Sequence, residues 1–276
     1  MSKHWLKGVA AVVLAVAVSA CGSNMHVSFD GDDGVPLADL DMTGEAPTKL
    51  VLAGPDKVVV SEGSELDIKV SGDEAAIAAL RFHLEDGRLG ITREKDSKAN
   101  GTATVSVTMP AAREFVLAGS GDIQAPSMVD KAEVNIAGSG NVAVAKVAAE
   151  RFNVNVMGSG TLSAAGTAER LDFNVAGSGK LAARGLKVKR AEINIAGSGG
   201  GEFASDGTVR ANVAGSGDVT VYGRADCKIS AMGSGKLRCI GGDTAWDDAA
   251  PRAPATPSAP AAPKAPPAPS APPPGE

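Results

Sequence analysis

Seven serines recur in identical Gly-Ser-Gly triplets, and a serine held in a tight turn is a candidate nucleophile for acyl transfer. Such a serine needs a general base, and beyond residue 20 the chain offers only His26 and His83. Neither histidine has a nucleophile motif near it, and seven equivalent serines are too uniform to be one catalytic centre. We therefore expect their hydroxyls to satisfy backbone groups of the turns. The serines are Ser120, Ser139, Ser159, Ser178, Ser198, Ser216 and Ser234.

Carboxylates are the other side chains here that could perform catalysis, as the acid–base pairs of polysaccharide-degrading β-helical enzymes do. Four acids stand five residues before a triplet, and four bases stand seven before one. If successive repeats stack in register, each set forms a column along the surface. We expect the acidic and basic columns to form structural ion pairs. The sequence also has no phosphate-binding loop and no metal-ligand cluster, so it predicts a protein that is not an enzyme and has no cofactor or metal. The acids are Glu114, Glu133, Asp172 and Glu192, and the bases are Lys131, Arg151, Arg170 and Arg190.

Asparagine fills one outward position in five consecutive units, three residues before the first glycine of the triplet. Asn side chains that stack in register can hydrogen-bond to one another as a ladder. The column is a candidate ligand-facing surface that would recognise a surface glycan or a protein. The alternative is that the ladder only stabilises the stacking. Its members are Asn135, Asn155, Asn174, Asn194 and Asn212.

These columns belong to a repeat whose successive triplets are 19, 20, 19, 20, 18 and 18 residues apart. In each unit, residues two, four and six before the first glycine are mostly apolar, and so are residues four and six after it. Polar residues alternate with them, which is typical of a strand with one buried face. Each unit is predicted to be a strand, a Gly-Ser-Gly turn, a second strand and a loop.

The predicted fold is all-β, a single-stranded, right-handed parallel β-helix, or β-solenoid, with coils of about 19 residues. Identical residues in one column favour this fold over an antiparallel meander, the main alternative. Residues 113–241 contain the Gly-Ser-Gly repeats. Residues 48–112 are strand-rich without the triplet, and we expect them to be divergent coils that form an N-terminal cap. Within the cap, residues 51–58 echo residues 116–123.

The chain has a strand-rich lead-in, followed by Val-Leu-Ala-Gly-Ser-Gly-Asp-Ile and recurring Asn-Val-Ala-Gly-Ser-Gly units. In these features it resembles the head-GIN domain family. This is a bacterial envelope domain of unknown function that carries an auto-transporter adhesin label. The resemblance covers about residues 48–241. It implies a β-helical fold and supplies no catalytic residues.

The N terminus has the features of a targeting segment, and residues 1–20 are predicted to be a lipoprotein signal peptide. Lys3 and Lys7 precede an apolar run that is too short to span a bilayer. The following Val-Ser-Ala-Cys sequence resembles a lipobox, which implies that Cys21 is acylated and anchors the chain in a membrane. The alternative is an ordinary signal peptide that is cut before an incidental cysteine. Residues 21–47 are acidic and are predicted to be a flexible tether.

Two further cysteines lie in the last unit, where Cys227 stands six residues before the triplet and Cys239 six after its first glycine. Both positions belong to inward columns, and a signal sequence implies an oxidising compartment. We expect a disulfide that fastens this end of the solenoid. The alternative is a pair of small buried thiols.

Residues 242–276 are predicted to be a disordered tail rich in alanine and proline, with eleven of the sixteen prolines beyond Ala249. Such a tail is a solvated spacer, or a segment that threads the cell-wall mesh or docks a partner. The net charge of −5 gives no footprint for nucleic-acid binding.

These features together predict a lipid-anchored protein of the bacterial cell envelope, in the outer membrane because Gly22 rather than an aspartate follows Cys21. Its solenoid would be a non-catalytic binding or adhesion module. The alternative function is a structural periplasmic lipoprotein that contacts the cell wall through its Pro-rich tail. Partners consistent with these functions are a membrane, and a surface glycan, peptidoglycan or an envelope protein.

Overall fold

A computed structural model of the protein describes residues 34–241, in which a 3₁₀ turn (Leu37–Asp39), one helix (α1, Glu74–Ala79) and fifteen strands occur. Cys21, the predicted signal peptide and the predicted tail lie outside the described residues. The strands before the repeats are β1 Lys49–Ala53, β2 Lys57–Glu62, β3 Asp67–Gly72, β4 Leu80–Glu85, β5 Arg88–Arg93 and β6 Ala103–Met109. The repeats contain β7 Ala112–Gly119, β8 Asp122–Gly138, β9 Asn141–Gly158, β10 Thr161–Gly177, β11 Lys180–Gly197, β12 Gly200–Gly215, β13 Asp218–Tyr222, β14 Asp226–Gly233 and β15 Lys236–Ile240.

The repeats form a parallel β-solenoid of about seven turns with coils of about 19 residues, as predicted. Each strand from β7 to β12 pairs in parallel with the next, and the triplets align from coil to coil. A meander would require antiparallel neighbours, so that alternative is wrong for the repeats. The right-handed winding stays a prediction.

The core is one continuous apolar cluster that extends from the cap through β13. The inward columns alternate with exposed or half-buried residues along β9 and β11, as a half-buried strand requires. Most of the inward residues of the repeats are small aliphatics, and four phenylalanines in the repeats supply the volume that these leave unfilled. These fully buried rings are Phe115, Phe152, Phe173 and Phe203.

The triplet glycines are required because the coils approach most closely at this corner. Gly158 has φ +118°, and a Cβ there would lie 2.5 Å from the carbonyl oxygen of Gly138. That oxygen accepts hydrogen bonds from the backbone N–H groups of Ser159 (2.9 Å) and Gly160 (3.0 Å). The corner backbone is therefore satisfied by the neighbouring coil. The triplet serines are exposed, and their hydroxyls form no hydrogen bond within residues 34–241, which corrects the role expected for them.

The cap stacks its coils in an order that differs from the order of the chain. Strand β1 pairs in parallel with both β5 and β7, so the first coil lies between a later cap coil and the first repeat. The predicted echo is real, because Ala53 pairs with Ala118 and Val58 with Ile123. Two antiparallel strands close the outer end, with β3 on β6 and β4 on β5.

A buried ion pair stabilises the cap at the position that corresponds to a Gly-Ser-Gly triplet in the repeats. Asp56, which occupies the place of the triplet's last glycine, is 1% exposed and accepts hydrogen bonds from Arg93 Nε (2.8 Å), Arg93 Nη2 (2.7 Å) and the Ala103 N–H (2.8 Å). Arg93 also donates to the carbonyl oxygens of Ala99 (2.7 Å) and Gly101 (2.6 Å). The hydrogen bond to Asp56 raises the pKa of Arg93 above its usual value. The pair thus fixes the segment between β5 and β6 against the first coil.

Part of the predicted tether packs on this cap. The backbone of Val35 exchanges hydrogen bonds with that of Phe82 on β4, at 3.0 and 2.8 Å. Leu37 and Leu40 are partly buried against the core cluster. Apolar contacts therefore order this end of the acidic segment, which its composition alone did not indicate.

Candidate functional site

The predicted Asn ladder lies on the outward face of strands β8 to β12. Its five members are direct partners in the parallel register, from Asn135 opposite Asn155 to Asn194 opposite Asn212. Parallel neighbours stand about 4.8 Å apart, so the ladder runs about 19 Å along the solenoid axis. The structure thus brings together all five asparagines.

The ladder is a directed chain of hydrogen bonds. Each Nδ2 donates to the Oδ1 of the asparagine one coil earlier, at 2.8 Å for Asn155 and 2.9 Å for each of the next three. Asn135 instead donates to Glu133 Oε1, at 2.9 Å, so a carboxylate is the final acceptor of the chain. A carboxamide has two N–H donors and two acceptor lone pairs. Each interior asparagine therefore keeps one donor and one acceptor for another partner.

A groove of about 680 Å³ accompanies the ladder. Its floor is the column next to the triplet, where Ala176, Ala196 and Ala214 present only methyl groups. Met157 and Met232, which are 49% and 79% exposed, flank this floor at either end. Short residues between two long ones leave an elongated trough with an amide wall and an apolar floor. This groove, lined by the ladder and the Ala/Met column, is the candidate binding site.

The column five residues before the first glycine of the triplet lies next to the ladder, and its charge changes from negative to positive along the solenoid axis. It runs from Glu133 through Asp172 and Glu192 to Arg210 and Lys228. The expected ion pairs between these acids and the neighbouring column of bases are absent from residues 34–241, so that prediction is wrong. Ion pairs between exposed side chains contribute little, so these long side chains gain little by pairing. Only the outermost acid, Glu114, lies near bases, which are Lys49 (3.9 Å) and Arg88 (3.7 Å) of the cap.

The structure joins Cys227 and Cys239 in a disulfide across the last coil, with their Cα atoms 6.7 Å apart. Cys227 is half-buried and Cys239 is exposed, because no further coil covers this end within the described residues. The bond links β14 to β15 at the end where each has only one neighbouring strand within residues 34–241.

A family model described as "Putative auto-transporter adhesin, head GIN domain" matches residues 46–225, more than half of the chain. The chain belongs to this family. The resemblance inferred from the triplets and the preceding asparagines is therefore confirmed, and the head GIN domain comprises the cap and all but the last coil. A comparison with curated proteins finds no match.

Solved structures of proteins from Bacteroides and Parabacteroides species share the fold of this head GIN domain. A putative adhesin from Bacteroides fragilis NCTC 9343 is 20% identical with a TM-score of 0.65, and the alignment covers 71% of this chain and 93% of that one. A putative lipid binding protein from Parabacteroides distasonis ATCC 8503 is 24% identical with a TM-score of 0.56 and the same coverage. A putative adhesin from Parabacteroides merdae ATCC 43184 is 16% identical with a TM-score of 0.52, over 72% and 93%. The family description fits a non-catalytic binding module, and these structures show the shared fold.

The other candidate side chains of the head GIN domain do not assemble into a reactive centre. His83 is half-buried on β4, where its Cα partner is Gly90. Among residues 34–241, no three His, Cys, Asp or Glu side chains form a group that could hold a metal ion. No helix in the same range is long and apolar enough to cross a membrane.

A second, smaller concavity lies on the face that follows the triplets. Gly200 and Gly201 interrupt two columns there and leave a notch of about 340 Å³ between Lys180 and Asp218. Beside it, Tyr222 donates to Glu202 (3.1 Å) and lies under the Arg184 guanidinium. Burial raises the pKa of Tyr222, and the hydrogen bond to Glu202 adds to the rise.

Sequence reasoning identified the amide wall of the groove but not its floor. The available signal was the column one residue before the triplet, in which three alanines stand between Met157 and Met232. Apolar residues in an outward column are the pattern that indicates a binding surface.

Proposed function

We propose that this protein is a non-catalytic binding module of the bacterial cell envelope, and that its groove binds an extended surface glycan. The observation that carries the proposal is the Asn ladder, which presents a spare donor and a spare acceptor at every coil beside an apolar floor. Sugar hydroxyls both donate and accept, and the C–H faces of sugar rings suit a floor of methyl groups. A length of about 19 Å suits an oligosaccharide better than a single sugar.

Removing the amides should abolish most of this binding. The triple variant N155S/N174S/N194S deletes the three central carboxamides, each of which contributes about 0.5–1.5 kcal/mol through a hydrogen bond. We expect affinity for the best glycan found on an array to fall about 100-fold, measured by titration calorimetry. The matched control T161S/S163A/T220S alters outward residues of the other face and should bind normally.

The alternative role of the ladder gives a different result in the same experiment. If the ladder only stabilises stacking, the triple Asn variant will melt at a lower temperature and bind the glycan with unchanged affinity. Retained affinity in a variant with the wild-type circular dichroism spectrum would exclude the groove as the glycan site.

Membrane anchoring through Cys21 is the second part of the proposal, supported by the signal-like N terminus and the adjoining cysteine. Cys21→Ser removes the thiol that would be acylated, so we expect the chain to leave the membrane fraction and to lose labelling by radioactive palmitate. Cys239→Ser is the matched control and should remain membrane-bound. Continued membrane association and labelling of the Cys21→Ser chain would refute lipidation at this residue.

The alternative function, a periplasmic lipoprotein that contacts the wall through its Pro-rich tail, is favoured by the composition of residues 249–276. It requires that deletion of these residues abolish co-sedimentation with peptidoglycan. Protease shaving of intact cells distinguishes the two functions further, because only a surface-exposed solenoid is digested while a periplasmic control protein survives.

A further inference from the structure

The two ends of the Asn ladder differ in their hydrogen bonding. At the N-terminal end the chain of hydrogen bonds finishes on the carboxylate of Glu133, which accepts from Asn135. At the C-terminal end Asn212 donates to Asn194, but its own Oδ1 accepts no hydrogen bond in the described part of the chain. Its partner in the last coil is Ser230, whose hydroxyl also forms none there. The ladder therefore presents free acceptor groups at its C-terminal end.

Two positively charged side chains stand beside this end of the ladder. Arg210 and Lys228 are exposed and are direct partners in the parallel register of β12 and β14. Like charges directly opposite each other destabilise a strand pair. Neither side chain forms an ion pair within residues 34–241, although Glu192 is the partner of Arg210 on β11 and Asp226 lies two residues before Lys228. These two positive charges are thus left for a group outside the fold to neutralise.

Both cations border the groove that the ladder lines. Asn212, Ser230 and Met232 line its C-terminal end. Arg210 and Lys228 each stand two residues before a lining residue, about 6.5 Å along the strand and on the same face. Met232 follows Ser230 by two residues and is 79% exposed. A molecule at this end would therefore meet cations on one side, amide and hydroxyl groups in the middle, and a thioether on the other side.

This set of groups matches a sugar residue that carries an anionic group beside a hydroxyl. The anion would accept charge-assisted hydrogen bonds from Arg210 and Lys228, and the guanidinium can bind it in a bidentate manner. The hydroxyl would donate to Oδ1 of Asn212, and the C–H face of the ring would lie on Met232. A neutral sugar would leave both cations without a counter-charge.

The rest of the ladder favours neutral residues. The column that contains Arg210 is acidic over the preceding coils, at Glu133, Asp172 and Glu192. Carboxylates beside the amides repel an anionic sugar and leave the binding of a neutral one unaffected. The charge of this column therefore gives the groove a direction, with the anionic residue of a glycan at the C-terminal end.

We infer that the groove recognises an acidic glycan and holds a terminal anionic sugar residue between the cations Arg210 and Lys228 and the side chain of Met232. The inference rests on the proposed function, because it specifies the class of glycan that the same groove binds. The anionic group is a carboxylate, as in a uronic acid, or a sulfate ester, since both accept hydrogen bonds from a guanidinium.

Matched oligosaccharides test this inference on the full-length protein. One pair is glucuronosyl-xylotriose and its carboxyl-reduced neutral form, and the other is terminally sulfated lacto-N-tetraose and lacto-N-tetraose itself. We expect the acidic member of a pair to bind at least about tenfold more tightly than the neutral member, as measured by titration calorimetry. The preference should decrease as the salt concentration rises. The pair with the larger preference identifies the anionic group.

Substitution of the two cations locates the preference. R210Q/K228Q should lower the affinity for the acidic member about tenfold or more and leave that for the neutral member within about twofold. Arg151→Gln, which removes an exposed arginine from another column of the same face, is the matched control and should preserve the preference. N155S/N174S/N194S should weaken binding of both members, because it removes the amides that they share.

Two results would overturn the inference and leave the proposed glycan site intact. They are equal affinity for the acidic and neutral members, and a preference for the acidic member that survives R210Q/K228Q. Binding of neither member of either pair would also overturn it. In that case a neutral glycan from the wider array, bound by the wild type and lost by the triple Asn variant, would show that the proposed function still holds.

Discussion

Gly158→Ala is expected to destabilise the solenoid by about 2–6 kcal/mol, more than any exposed substitution. Alanine at φ +118° carries a backbone strain of about 1–3 kcal/mol. Its Cβ would also lie 2.5 Å from the Gly138 carbonyl oxygen, and such overpacking costs about 1–3 kcal/mol more. That oxygen cannot move away without losing the hydrogen bonds from Ser159 and Gly160. Urea unfolding followed by circular dichroism measures the change.

The same triplet contains the control for this prediction. Ser159 is exposed and its side chain has no hydrogen bond within the described range, so Ser159→Ala should change the free energy of unfolding by less than about 0.5 kcal/mol. If Gly158→Ala were equally harmless, close stacking at the corner would not be the reason for the repeated glycines.

Asp56→Ala is expected to destabilise the cap by about 3–5 kcal/mol. It leaves the Arg93 guanidinium, which is 12% exposed, buried without its carboxylate, and the N–H of Ala103 without an acceptor. The segment between β5 and β6 would lose its attachment to the first coil, so proteolysis there should accelerate together with global unfolding. The measurements are chemical denaturation and limited proteolysis read by mass spectrometry.

An exposed pair in the same cap provides the comparison. Asp67 and Lys69 form an ion pair in which both side chains are more than half exposed, and such pairs contribute at most about 1 kcal/mol. Asp67→Ala should therefore be nearly neutral. Equal effects of the Asp56 and Asp67 substitutions would contradict the role given to the buried pair.

The repeats could be predicted from sequence because one spacing determines several properties at once. Glycines such as Gly138 and Gly158 mark the corners of the coils. The alternation of apolar and polar residues identifies the inward columns, and five asparagines at the same position of the repeat imply a ladder. Parallel stacking turns each of these columns into a row of neighbours. For this reason the fold and the amide wall of the groove followed from residue types alone.

The cap and the charge pairs could not be predicted in the same way. The order in which β1, β5 and β7 stack depends on contacts between segments far apart in the chain, and no local pattern encodes it. Asp56 replaces a glycine in an echo of the triplet, yet its partner Arg93 is 37 residues away. The expected pairing of Glu133 and Glu192 with nearby bases failed because a shared column does not determine where flexible, solvated side chains point.

The position of β1 between two later strands has a mechanical consequence. A tension applied through the N terminus reaches the fold at Val35 and then at β1, whose two edges are both hydrogen-bonded, to β5 and β7. Extracting β1 requires both ladders to shear together, whereas an edge strand can unzip one bond at a time. A domain held by its N-terminal side and pulled by a bound ligand would thus carry the force through a strand that is paired on both edges.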